Sequence, residues 1–141
     1  MDKLSFNLDI EGDWPPVSSE NVWCEQKGGN FILKNTPFFI SGLAVNDVFT
    51  AEIDSVNNHI FEFSIVKESG HSVIWFMNND EIEISKFKKS IISLGCRVEG
   101  LQQFSLYSID VPVGLDVDAL DEIIDEFEVK GLDFAFPVWR H

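Results

Sequence analysis

The residues of this chain best suited to do chemistry are the carboxylates between Asp116 and Lys130, in the run DVDALDEIIDEFEVK. At helical spacing Val117, Leu120, Ile123, Ile124 and Phe127 fall on one side, and Asp118, Asp121, Glu122, Asp125, Glu126 and Glu128 on the other. Such a face can present a strong negative field to a cationic partner. Proton transfer between paired carboxylates, as in glycoside cleavage, needs a sugar-binding cleft of which the sequence gives no sign. The run also lacks the loop of oxygen ligands, central Gly and terminal Glu of a calcium-binding hand.

Other reactive residue types are scattered. His71 stands in Ser69-Gly70-His71-Ser72. A general base or a nucleophile–base pair needs a neighbour within hydrogen-bond reach, and no G-x-S-x-G elbow is present. The tetrapeptide reads as a hairpin turn, with Asn35, Asp47, Ser69 and His71 kept as an alternative small-ligand pocket. His59, His71 and His141 are dispersed, and Cys24 and Cys96 form no C-x-x-C pair, so no metal site is expected. The two cysteines read as buried thiols of a reducing compartment rather than as a disulfide. Gly28-Gly29 is a turn and not a phosphate cradle, because no Lys-Ser/Thr follows. No catalytic residue and no cofactor is assigned, and the chain is read as a non-enzyme.

The elements that must position the acidic face follow from pattern and punctuation. With 141 residues, 45% of them hydrophobic, and 13 phenylalanines, the chain has ample material for a packed core. In the first half Val22–Gln26 and Phe31–Lys34 flank a glycine turn. Val48–Ile53 and His59–Val66 flank a polar one, and Val73–Met77 follows. Turns at this interval predict a small, curved antiparallel sheet or barrel. Asp13-Trp14-Pro15-Pro16 reads as loop or extended chain. In the second half Ile84, Phe87, Ile91 and Leu94 predict a lysine-bearing helix stopped by Gly95. Strands follow at Arg97–Gly100 and Phe104–Val111. The acidic helix comes next, with Asp116 as N-cap and Gly131 as stop, and then a strand within Leu132–Trp139, where Pro137 favours an edge.

The order strand, helix, strand, strand, helix, strand is that of a ferredoxin-like split βαβ unit with both helices on one face. The expected class is α+β: a curved β half over residues 1–71 and a ferredoxin-like half over 72–141, sharing contacts. Some acidic side chains are then expected to face Lys86 or Lys89.

Asn35-Thr36-Pro37-Phe38-Phe39, Gly42 to Val48, Ser69 to Val73, Gly95 to Gly100 and Tyr107 to Pro112 stand in an order and spacing similar to the small bacterial family catalogued as domain of unknown function 4265. The similarity runs from about Trp23 to Trp139. It implies a curved β half followed by an α+β half, and no activity. Related domains occur in bacterial settings where small acidic immunity proteins are also found.

Charge narrows the partners. The 24 acidic residues outnumber the 10 basic ones, for a formal charge of -14. Such a surface repels nucleic acid and anionic lipid. No apolar run is long enough to span a bilayer, and the first residues lack the apolar centre of a signal peptide, so the protein is read as cytosolic. The expected partner is a basic protein. A toxin with a nuclease domain fits, because its substrate cleft is itself cationic and an acidic inhibitor can occupy it. Asp118, Asp121, Glu122, Asp125 and Glu126 are the residues expected to face that partner. The competing reading is a solvated helix face that only keeps the protein soluble. Trp14, Trp23, Trp75 and Trp139 are candidate aromatic anchors.

Overall fold

The computed structural model describes residues 1–141, in two compact units, Met1–Ser69 and Gly70–His141. The fold is α+β.

The first unit is a five-stranded meander: β1 (Asp2–Asn7), β2 (Ser19–Lys27), β3 (Asn30–Leu33), β4 (Val48–Ile53) and β5 (His59–Lys67). Consecutive strands pair antiparallel, and β1 returns to pair parallel with β5 at Ser5↔His59 and Phe6↔Ile60, closing the barrel. Alternation on β2 explains the closure. Glu20, Val22 and Cys24 are buried, while Asn21, Trp23 and Glu25 are exposed, the two-residue period of a strand with one covered face. Phenylalanine fills the interior. The Phe49 ring lies 5.9 Å from Phe6, 5.7 Å from Phe31 and 6.1 Å from Phe63. A barrel this narrow has room for side chains and no channel. β1 was not among the expected strands.

The second unit holds β6 (Ser72–Met77), α1 (Ser85–Ser93), β7 (Arg97–Leu101), β8 (Leu106–Val111), α2 (Val117–Lys130) and β9 (Asp133–Val138). The sheet order is β7-β8-β6-β9, all antiparallel, as a ferredoxin-like unit requires. Phe87 and Ile91 of α1 share one buried cluster with Leu120, Ile124 and Phe127 of α2 and with Ile74, Phe76, Ile109 and Val111 of the sheet. Both helices therefore cover the same face.

One boundary needs correction. The strand expected from Phe104 begins only at Leu106, because Gln102–Phe104 forms a 3-10 turn. Ser105 adopts a left-handed backbone (φ 51°), and its N–H closes the turn on the Gln102 carbonyl at 3.0 Å. No helix is long and apolar enough to cross a membrane.

Candidate functional site

α2 is built as its residues dictate. The Asp116 side chain accepts from the Ala119 N–H at 3.1 Å, which satisfies one of the unpaired donors of the first turn. At the other end Gly131 takes φ 118°, and the N–H groups of Gly131 and Leu132 return to Glu128 and Phe127. The ends are fixed, so the apolar stripe decides the rotation about the helix axis. Leu120, Ile124 and Phe127 go inward, and Asp118, Asp121, Glu122, Asp125, Glu126 and Glu128 are exposed.

None of these carboxylates has a cation within ion-pair distance. Ion pairs form elsewhere, as between Lys34 and Glu25 at 4.0 Å and between His71 and Asp110. Lys86 and Lys89 do not neutralise the acidic face. Of the other helix lysines, Lys88 stands 5.6 Å over the Tyr107 ring and Lys130 lies 4.4 Å over Phe127.

This arrangement works against the helix that carries it. Asp118–Glu122, Asp121–Asp125 and Glu122–Glu126 are like charges four residues apart, each costing about 0.2–0.5 kcal/mol. Asp125, Glu126 and Glu128 also crowd the C-terminal end, where the helix dipole is already negative. The apolar contacts of Leu120, Ile124 and Phe127 hold α2 in place despite this.

The alternative pocket residues are engaged by the fold one at a time. Asn35 Oδ1 accepts from the Trp23 N–H at 2.6 Å. Asp47 is fully buried; its two oxygens accept from the Ala44 and Ser69 N–H groups, each at 2.9 Å. The Ser69 hydroxyl donates to the Val45 carbonyl at 2.7 Å. His71 Nδ1 meets Asp110 Oδ1.

Two polar arrangements were not foreseen. Glu20 of β2 is buried, and its carboxylate accepts three consecutive backbone N–H groups, Phe38 at 2.7 Å, Phe39 at 2.9 Å and Ile40 at 3.2 Å. This side chain fills a backbone nest that an external anion could otherwise occupy. In the second unit Ser72 Oγ accepts from the Arg140 N–H at 2.7 Å and meets His141 Nδ1 at 2.6 Å. His141 Nε2 lies 2.8 Å from the Pro112 carbonyl. A carbonyl only accepts, so Nε2 carries the proton and Ser72 donates to Nδ1. Ser72 has no exposed surface, so this serine–histidine contact ties chain segments together and offers no nucleophile to a substrate.

The thiols are inert. Burial, then the Asp2 charge, pushes Cys24 up to about 12, and burial, then Asp110, does the same to Cys96. Burial followed by Asp110 also raises Glu99 above the usual carboxylate range. Of the tryptophans, Trp23 on the outer wall of the barrel is half exposed. Trp14 and Trp139 are less so, and Trp75 lies in the sheet, partly covered.

Comparison with known proteins adds a family and a fold. A hypothetical protein from Neisseria gonorrhoeae, known from a crystal structure, superposes with a TM-score of 0.77 at 17% identity, covering 100% of this chain and 98% of that one. At that identity the likeness is one of fold. No curated protein matches. The family model described as Domain of unknown function (DUF4265) matches residues 20–133, which takes in four of the five barrel strands, both helices and all of the second sheet but most of its last strand. The chain belongs to this family of domains of unknown function.

Proposed function

We propose that this protein is a non-enzymatic acidic binding protein that docks through α2 onto a cationic protein surface. In its most concrete form it is an immunity protein that neutralises a basic bacterial toxin by occlusion. A nuclease is the fitting toxin class, because a cleft built to hold a phosphate backbone is lined by Lys and Arg and is complementary to the carboxylate face of α2.

One observation supports this reading above others: Asp118, Asp121, Glu122, Asp125 and Glu126 are exposed together and unpaired. Solubility alone asks for a modest net charge spread over the surface. Concentrating the acids on one helix, against repulsion and dipole, is accounted for by a partner that supplies the missing positive charge.

The test is association kinetics against a panel of basic bacterial nuclease toxin domains. Replacing Asp121, Asp125 and Glu126 by Lys is expected to slow association at least about tenfold at low salt and to flatten its dependence on ionic strength. An on-rate and salt slope equal to those of the unaltered protein would remove α2 from the interface.

A further inference from the structure

A second feature of the same unit is an open cleft of about 430 Å³, formed where the β6–α1 connection meets the β7–β8 connection. Its wall includes Glu81, Ile82, Glu83, Gln102, Ser105 and Tyr107. Several constraints hold it in shape. Asn78 clamps Ile82 twice, accepting from its N–H at 2.9 Å and donating to its carbonyl at 2.8 Å. The Asn78 N–H reaches the Ser105 carbonyl at 2.9 Å and so fastens one connection to the other. Glu81 and Ser105, both on this wall, have left-handed backbones at φ 52° and 51°. Only four non-glycine residues of the chain do so, and the other two are asparagines, which tolerate that conformation. Tyr107 is fixed by its ring, stacked on Phe76 at 4.7 Å and 6°.

The polar groups of this wall are available to a ligand. The Glu81 carboxylate, the Gln102 amide and the Tyr107 hydroxyl have no hydrogen-bond partner within the protein. Glu83 accepts from the N–H and hydroxyl of Ser85, and these bonds hold its carboxyl below the usual range. Lys88 lies over the Tyr107 ring, and its charge adds a smaller share to the lowering of Glu83, but it forms no ion pair with either glutamate.

The cleft adjoins the acidic helix. A Cβ at Gly131, the C-cap of α2, would stand 2.9 Å from Asp80 Oδ2 and 2.9 Å from Ile82 Cδ1. The negative end of the α2 dipole therefore abuts the Asp80–Glu83 segment.

We infer that this cleft is the anchor pocket for an arginine side chain of the cationic partner. The inference rests on the docking role proposed for α2 and deepens it. Two carboxylates, a primary amide and a phenol hydroxyl match the planar fork of guanidinium donors, and Ile82 and Ile84 lie against the aliphatic stem. Lysine, a compact and strongly hydrated charge, fits less well. Long-range attraction by α2 sets the rate of encounter, whereas a side chain seated in a shaped pocket sets the lifetime of the complex. A second copy of this chain is excluded as occupant by its own charge of -14.

The test is an NMR titration of the full chain with Nα-acetyl-arginine amide and with Nα-acetyl-lysine amide. Arginine is expected to shift amides of residues 78–85 and 102–107 and to bind more tightly than lysine. Glu81→Gln and, separately, Tyr107→Phe should each weaken arginine about tenfold, the worth of one charge-assisted bond. Shifts centred on residues 117–130, equal binding of the two amides, or indifference to both substitutions would overturn the assignment. The variant with Asp121, Asp125 and Glu126 changed to Lys separates the two ideas. If it keeps the cleft response but associates with the basic protein as fast as the unaltered chain, the role of α2 fails and the pocket stands. If it associates slowly while arginine never enters the cleft in either protein, the pocket fails and α2 stands.

Discussion

His71 Nδ1 lies 2.7 Å from Asp110 Oδ1, although the residues are 39 positions apart in the chain. His71 immediately precedes β6, and Asp110 sits on β8 opposite Val73. The contact fastens the start of the central strand to its neighbour where both side chains are sheltered, at 16% and 7% exposure. Asp110→Ala leaves the imidazole without this acceptor and is expected to cost about 1–3 kcal/mol, while Asp110→Asn, which keeps an acceptor oxygen, should cost less. Urea unfolding of the three proteins measures the difference. Equal midpoints would show that the pair contributes nothing to folding.

The thiols provide a probe of the two units. Cys24 belongs to the barrel and Cys96 to the α1–β7 connection of the second unit, and both are buried, with their thiols pushed up to about 12. Neither should react with a water-soluble disulfide reagent at pH 8 in the native protein, and both should react once the chain is unfolded in urea. Mapping which thiol is labelled first across a urea series reports which unit opens first. Prompt labelling of either at zero denaturant would contradict the packing described.

Glu83 gives α1 a dependence on acidity. Its ordinary value is 4.5, and its bonds to Ser85 lower it in the folded chain. A carboxyl depressed by folding adds stability above its unfolded value, and that contribution disappears as pH falls through the folded value. The melting temperature should therefore drop below pH 4.5 partly on account of this residue, and Glu83→Gln should shrink the drop. Identical acid limbs for the two proteins would show that the Glu83–Ser85 bonds do not stabilise α1.

Gly131 should not accept a side chain. Its φ of 118° is costly for L-residues, and a methyl group would meet Asp80 and Ile82 at 2.9 Å. Gly131→Ala is expected to destabilise by about 1–3 kcal/mol and to disturb the Asp80–Glu83 segment. Thermal melting measures the first effect, and amide shifts of residues 80–84 measure the second.

How far the sequence reveals this molecule differs from element to element. α2 was legible from end to end, because its N-cap, its stop and its apolar stripe are all local signals that agree. The ferredoxin-like order followed from the succession of elements. β1 was missed although Leu4, Phe6, Leu8 and Ile10 alternate with polar residues, the very period that marks a strand. The alternation runs on past Asn7, where β1 ends, so no local signal bounds the strand. The Glu20 nest lay beyond reach, because its donors lie 18 to 20 residues away on a loop whose path no local rule sets. The arginine cleft was hidden for a related reason. Residues 78–84 and 102–107 become neighbours only because β6 and β8 pair, with Met77 opposite Leu106.

The parallel β1–β5 seam has a bearing on how this protein behaves when crowded. A meander left open would offer two rows of bare amides to any passing strand, an invitation to polymerise. Sewing the first strand to the fifth at Ser5–His59 and Phe6–Ile60 shortens both rows. In the second sheet the β9 margin is roughened by a register shift opposite Val73–Trp75 and by Pro137, which has no donor to give. Edges finished in this way leave few bare amides for a second chain to extend.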